Sequence, residues 1–246
     1  MDPIISAWIL FAQQLSPFLL SIFEFIGFSC ALLFLFRYFQ TIGVAAFIVL
    51  AILIGNIQIL THVNFKFMII PLGTIAFSML FVAINLLNLH YGKGVAKKAV
   101  FLTFYTQVFF ACLILITMGY LPTAYTESYH ISMVTLFSPS LRLFAASLIS
   151  YTISQLFDIH LFNMLSKSSL WARFNISIWL SALLDNTIFS FLAFYVFVDL
   201  PYSIEDIVMK FILGTYWIRI IIGILETPII YLSKTIKAPQ AHQSYR

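Results

Sequence analysis

The chain has 246 residues, of which 62% are hydrophobic and only 9% charged, and its mean hydropathy is +1.01. That excludes a soluble domain, in which about a quarter of the residues are charged. Apolar runs of about 20 residues recur along nearly the whole length, which means an all-α polytopic membrane protein. The net charge of +4 does not point to nucleic acid, because the bases sit in short loops between apolar runs, where they set orientation.

Residues 4–15 are apolar but short, and Gln13, Gln14 and Pro17 interrupt them, so they read as an interfacial lead-in or the first turns of the next helix. The chain starts with acidic Asp2 and lacks a basic n-region, which argues against a cleaved signal peptide. The first span is expected at 18–36, with Glu24 inside it, and the second at 42–60, with Asn56 and Gln58. A polar turn holding His62, Asn64 and Lys66 leads to a third span at 67–89, with Pro71 near its start, where proline is tolerated. Tyr91-Gly92-Lys93-Gly94 ends that span, and the fourth runs over 99–121. Residues 122–140 form the longest polar loop, carrying Glu127, His130 and Pro139. The fifth span is expected at 141–165 and the sixth at 174–198. An acidic loop with Asp199, Glu205 and Asp206 then leads to the seventh at 207–232, which contains Pro228.

Seven spans with the N-terminus outside put Arg37, Lys93, Lys97, Lys98, Lys167, Arg173, Lys234, Lys237 and Arg246 on the inner side. Only Lys66 and Lys210 fall outside. This is the asymmetry that the positive-inside rule requires, and it predicts a cytoplasmic C-terminus.

The last three spans carry polar stripes. Ser147, Tyr151, Ser154, Gln155 and Asp158 share one face of the fifth, and Ser177, Ser181 and Asp185 follow a spacing of four on the sixth, with Asn186 beside them. Tyr216, Arg219 and Glu226 mark the seventh. Ser154 to Asp158 and Ser181 to Asp185 repeat one signature, Ser-x-Leu-[Phe/Leu]-Asp, on successive helices. Intramembrane carboxylates are costly unless they face a partner or a wet cavity. The serines alone are equally consistent with interhelical glue, and Arg219 with Glu226 could neutralise one another two turns apart.

Cys30 and Cys112 lie in apolar runs without metal or redox spacing. No HExxH, GxSxG or Cys/His cluster is present, so the chain reads as no enzyme and as needing no metal or cofactor. A membrane aspartyl protease on Asp158 and Asp185 is disfavoured, because the residue count sets Asp158 toward the inner face and Asp185 near mid-membrane.

Arg142, Ser147, Tyr151, Ser154-Gln155-x-x-Asp158, Phe162-Asn163, Trp171, Ser177, Asp185 and Phe194 resemble the queuosine precursor transporter family, also called the vitamin uptake transporter family. Tyr91-Gly92-Lys93 with Ala96-Lys97-Lys98 resembles its inner loop, and Arg219 with Glu226-Thr227-Pro228 and Tyr231 its last helix. The resemblance covers 42–234. It implies a six-helix transporter core at 42–234, an extra N-terminal helix within 1–41, and a polar cytoplasmic tail at 235–246. It also implies import of 7-deazaguanine bases (queuine, preQ1 or preQ0) for tRNA modification, through a bacterial inner membrane.

The chain departs from the family pattern at Asn85, where an acidic residue is usual, at Leu89, and at Asp185-Asn186, with Thr187 one place later. The expected substrate-binding residues are Asp185, Asn186, Asp158, Gln155, Tyr151, Arg219, Ser181, Asn85 and Glu226. Asp185 is expected to read the donor edge of the base, with a carbonyl donor from Asn186, Gln155 or Arg219 and ring stacking from Tyr151, Tyr216 or Trp217. The expected partners are a purine-like solute and the lipid bilayer, with no direct nucleic-acid binding and a homo-oligomer allowed for. The competing readings are a substrate-binding subunit of an energy-coupling vitamin transporter and a non-transporting membrane scaffold.

Overall fold

A computed structural model describes residues 2–65, 68–198 and 200–236. Lys66, Asp199, Lys237, Arg246 and nearly all of the predicted tail lie outside the described residues. The chain begins with α1 (Pro3–Gln14), capped by the Asp2 carboxylate, which accepts from the Ile4 amide at 2.8 Å. No residue of α1 is buried, so it is the lead-in that the interrupted apolar pattern predicts.

A continuous-looking helical stretch, Pro17–Gln58, follows, but Gln40 has φ 52° and ψ −130° and folds it into two helices, α2 (17–39) and α3 (41–58). In one straight helix Phe28 and Phe47 would stand almost 30 Å apart; their ring centroids are 6.0 Å apart, edge to face. The Gln58 amide likewise donates to the Glu24 carboxylate at 2.7 Å. The turn is tight at Gly43, where an added Cβ would press on the Leu35 carbonyl oxygen and approach Phe39 Cβ to 2.7 Å. Gly43→Leu is therefore expected to destabilise the hairpin by about 1–3 kcal/mol, the usual cost of overpacking. Gly27→Leu, at a position with nothing within 4 Å, should leave thermal unfolding in detergent unchanged.

A short antiparallel hairpin, β1 (His62–Phe65) and β2 (Met68–Pro71), replaces the expected start of the third span. Pro71 thus ends a strand instead of opening a helix, and α4 runs over Thr74–Tyr91. Gly92, at φ 83°, closes α4 and admits α5 (Lys93–Met118) at once, a left-handed position that favours glycine. The predicted polar loop is mostly helical, because α6 starts at Glu127 and runs to Met164. It bends by 42° between Glu127–Ser138 and Leu141–Met164, and the sequence places Pro139 inside that break.

The last two helices are α7 (Leu170–Val196), capped by the Ser169 hydroxyl, and α8 (Ile204–Thr235). Each contains a π-helical stretch, Leu192–Val196 and Ile207–Leu213. α8 continues through Pro228.

Five of the described helical stretches are long and apolar enough to cross a membrane, and the bent α6 makes six. The fold-back at Gln40 divides one of them into α2 and α3. The protein is an all-α polytopic membrane protein. α4 is its centre, touching α3, α5, α6, α7 and α8, and it is buried on every side from Met79 to Asn88. A helix apolar all round belongs in such a place, so the two amides that α4 carries there, Asn85 and Asn88, sit in the middle of the bundle.

Candidate functional site

The polar stripes of α6 and α7 face one another, and α8 closes the third side. Asp185 is the hub. Its Oδ2 accepts from Arg219 Nη1 at 2.6 Å, and its Oδ1 accepts from the Ser154 hydroxyl at 3.2 Å. One carboxylate thus ties α7 to α8 and to α6. Both side chains of the ion pair are 11% exposed, so it sits where loss of one partner costs about 3–5 kcal/mol. Arg219 is accordingly engaged with Asp185 and not with Glu226, contrary to the intrahelical pairing that the spacing of seven had left open.

Asp158 lies one turn along α6 from Ser154 and is fully buried. The Ser177 hydroxyl and the Asn85 amide are within interaction range of its carboxyl. Neither meets hydrogen-bond geometry, and both carboxyl oxygens lack a hydrogen-bond partner. The same is true of both polar atoms of Asn85, both of Gln155, the Ser181 hydroxyl, the Tyr151 hydroxyl and both carboxyl oxygens of Glu226. Buried polar groups are almost always hydrogen-bonded. Six unpartnered side chains on four touching helices single out the α4–α6–α7–α8 interface as the candidate site.

Three of the expected residues have other engagements or positions in the structure. Asn186 spends its amide as a tether, donating to the Thr215 hydroxyl at 3.0 Å and the Ile212 carbonyl at 3.4 Å. Trp217 is 64% exposed and points away from the other helices, so it cannot stack on a ligand held among them. Tyr216 donates to the Trp179 carbonyl at 3.1 Å. Tyr151 remains, buried and beside the unpartnered set.

Sequence reasoning missed the anchors around this interface. Asn175 donates to the Thr227 hydroxyl at 3.0 Å, and Asn163 donates to the Asn88 amide oxygen at 3.0 Å. The indole N–H of Trp179 has no partner. The i, i+3 spacing of Asn85 and Asn88 in an apolar run was the available signal.

A cavity of about 260 Å³ lies elsewhere, between α2, the end of the β-hairpin and a different face of α8, with Phe18, Phe25, Ile218, Ile221 and Leu225 in its wall. Its lining is almost wholly apolar, with Glu24 already bonded to Gln58. This groove offers few polar groups, in contrast to the Arg219 face of α8. Among the described residues, no group of three or more His, Cys, Asp or Glu could hold a metal ion.

Residues 71–233 match the family model described as "Putative vitamin uptake transporter". The chain is also 27% identical over 219 residues to the "Probable queuosine precursor transporter" of Bacillus subtilis (strain 168), covering 86% of this chain and 92% of that protein. No solved structure matches the chain.

Proposed function

The chain belongs to the vitamin uptake transporter family, and we propose that within it this protein imports queuosine precursors, 7-deazaguanine bases such as queuine, preQ1 or preQ0, for tRNA modification. The observation that carries the reading is Asp185, a buried carboxylate held by donors from two other helices, in a bundle whose packed helices also bury unpartnered amides and carboxyls. The name of the Bacillus relative points the same way.

A 7-deazaguanine presents a ring N–H and an exocyclic amine side by side, and a carboxylate accepts both at once. Its neighbouring carbonyl needs a donor, which Gln155 or a released Arg219 supplies. Pockets of this kind combine apolar walls with a small number of convergent polar groups. Asp185 spends its two oxygens on Ser154 and Arg219 in the structure, so the base must displace Arg219 to reach the carboxylate. Glu226 lies two turns further along α8 on the same face, fully buried and without a hydrogen bond, and is placed to take the guanidinium in exchange.

On this reading the protein works in a bacterial inner membrane, and its Lys and Arg asymmetry supports a cytoplasmic C-terminus. It works without an enzymatic step, and as one copy or as a homo-oligomer.

The experiment is uptake of labelled queuine in cells that lack their own importer and produce this protein. Modified tRNA appearing only with the protein is the expected result. Normal membrane insertion with no modification from any of the three bases overturns the reading, and co-purifying ATPase subunits would favour the vitamin-transporter subunit instead.

A further inference from the structure

Resting on that reading, the balance of buried charge carries a finer one. Three acidic side chains are buried in the described residues, Asp158, Asp185 and Glu226, and no lysine, arginine or histidine is buried with them. The Arg219 guanidinium is bound to Asp185. Glu226 has Arg219 two turns away on its own helix. Asp158 has no cation at all among its interacting neighbours, which are the neutral Ser177 and Asn85. A lone carboxylate out of water is costly until a positive group or a proton meets it.

The groups beside Asp158 suit one kind of positive group. A primary ammonium has three donors, a secondary one two, and neither has an acceptor. The Asp158 carboxyl stands unpartnered here, together with the oxygen and the nitrogen of both the Gln155 and the Asn85 amides. Gln155 is three residues before Asp158 and so on the same face of α6. Ser154, which holds Asp185, is one turn from Asp158, a rise of about 6 Å. A bicyclic base with its donor edge on Asp185 spans that turn and lays its 7-substituent toward Asp158.

We propose that the site ranks its bases by charge, favouring those whose 7-substituent carries an ammonium, with Asp158, Gln155 and Asn85 as the group that receives it. A 7-aminomethyl or 7-alkylaminomethyl base fulfils this. A 7-cyano base is held more weakly, since a nitrile brings no positive charge to the buried Asp158 carboxylate. Asn85 fits the scheme, because a carboxamide supplies an oxygen without adding a further charge.

The test is competition against labelled queuine uptake by the 7-aminomethyl and the 7-cyano base, in cells that make the intact protein. The aminomethyl base is expected to compete at a concentration at least about tenfold lower, the discrimination that one charge-assisted hydrogen bond supplies. Asp158→Asn is expected to move that ratio toward one. Equal competition in the unsubstituted protein overturns the charge selection while leaving import of the bases standing. A preference that survives Asp158→Asn overturns the assignment of the ammonium to Asp158. Absence of labelled uptake, with the protein present in the membrane, overturns the import reading and this inference with it.

Discussion

Asp185→Ala is expected to lower precursor uptake at least a hundredfold in protein that still inserts into the membrane. The substitution removes the acceptor for the base's donor edge and, in the same stroke, the counter-charge of Arg219. Breaking a buried pair by removing one partner costs about 3–5 kcal/mol, two or more decades in an equilibrium. That cost falls on stability as well as on binding, so uptake alone does not separate a binding residue from a structural one. The double variant Asp185→Ala with Arg219→Ala does. With both charges gone, no unpaired guanidinium is left in the bundle, and replacing a whole buried pair is often nearly neutral. Thermal unfolding in detergent should therefore recover in the double variant while uptake does not. Recovery of both would make the pair a structural clasp and remove Asp185 from recognition.

Much of this arrangement is legible in the sequence. Ser154, Asp158, Ser181 and Asp185 recur at helical spacing, and lipid intolerance of outward-facing carboxylates forces those faces together. The reversal near residue 40 is also visible as two apolar runs separated by Arg37 and Gln40, although the helix barely pauses there. Other features depend on tertiary distances that spacing does not encode. Arg219 stands seven residues from Glu226 on one helix and 34 from Asp185 on another, and only packing decides which carboxylate it meets. Asn186 looks like a ligand because it neighbours Asp185, yet consecutive helical residues point about 100° apart, and its amide reaches Thr215. The helix from Glu127 to Ser138 hid in a segment of polar and turn-forming residues with Pro139 at its end, where local composition favoured a loop. The β-hairpin at His62–Pro71 was likewise masked by an apolar run whose length suited a helix.

Glu226→Gln is the complement of the Asp185 result, with the opposite sign on stability. Both carboxyl oxygens of Glu226 are buried and bonded to nothing, so an amide of the same shape breaks no hydrogen bond and takes a potential charge out of the bundle. Thermal stability should stay unchanged or rise, since an uncompensated buried charge is only a cost. Uptake should nevertheless fall by about tenfold or more. When the base takes Asp185, Arg219 must leave it, and without a second carboxylate on α8 the guanidinium has no ionic partner to move to. The released cation then competes with the substrate for Asp185 at every encounter. The loss should be smaller for Glu226→Asp, which keeps the charge and shortens the reach. Uptake unaffected by Glu226→Gln would remove the exchange step, and a drop in unfolding temperature like that of Asp185→Ala would make Glu226 an anchor of the folded bundle. The pairing of a more stable protein with a slower transporter is the signature of a group kept unsatisfied in one state because it is needed in the next.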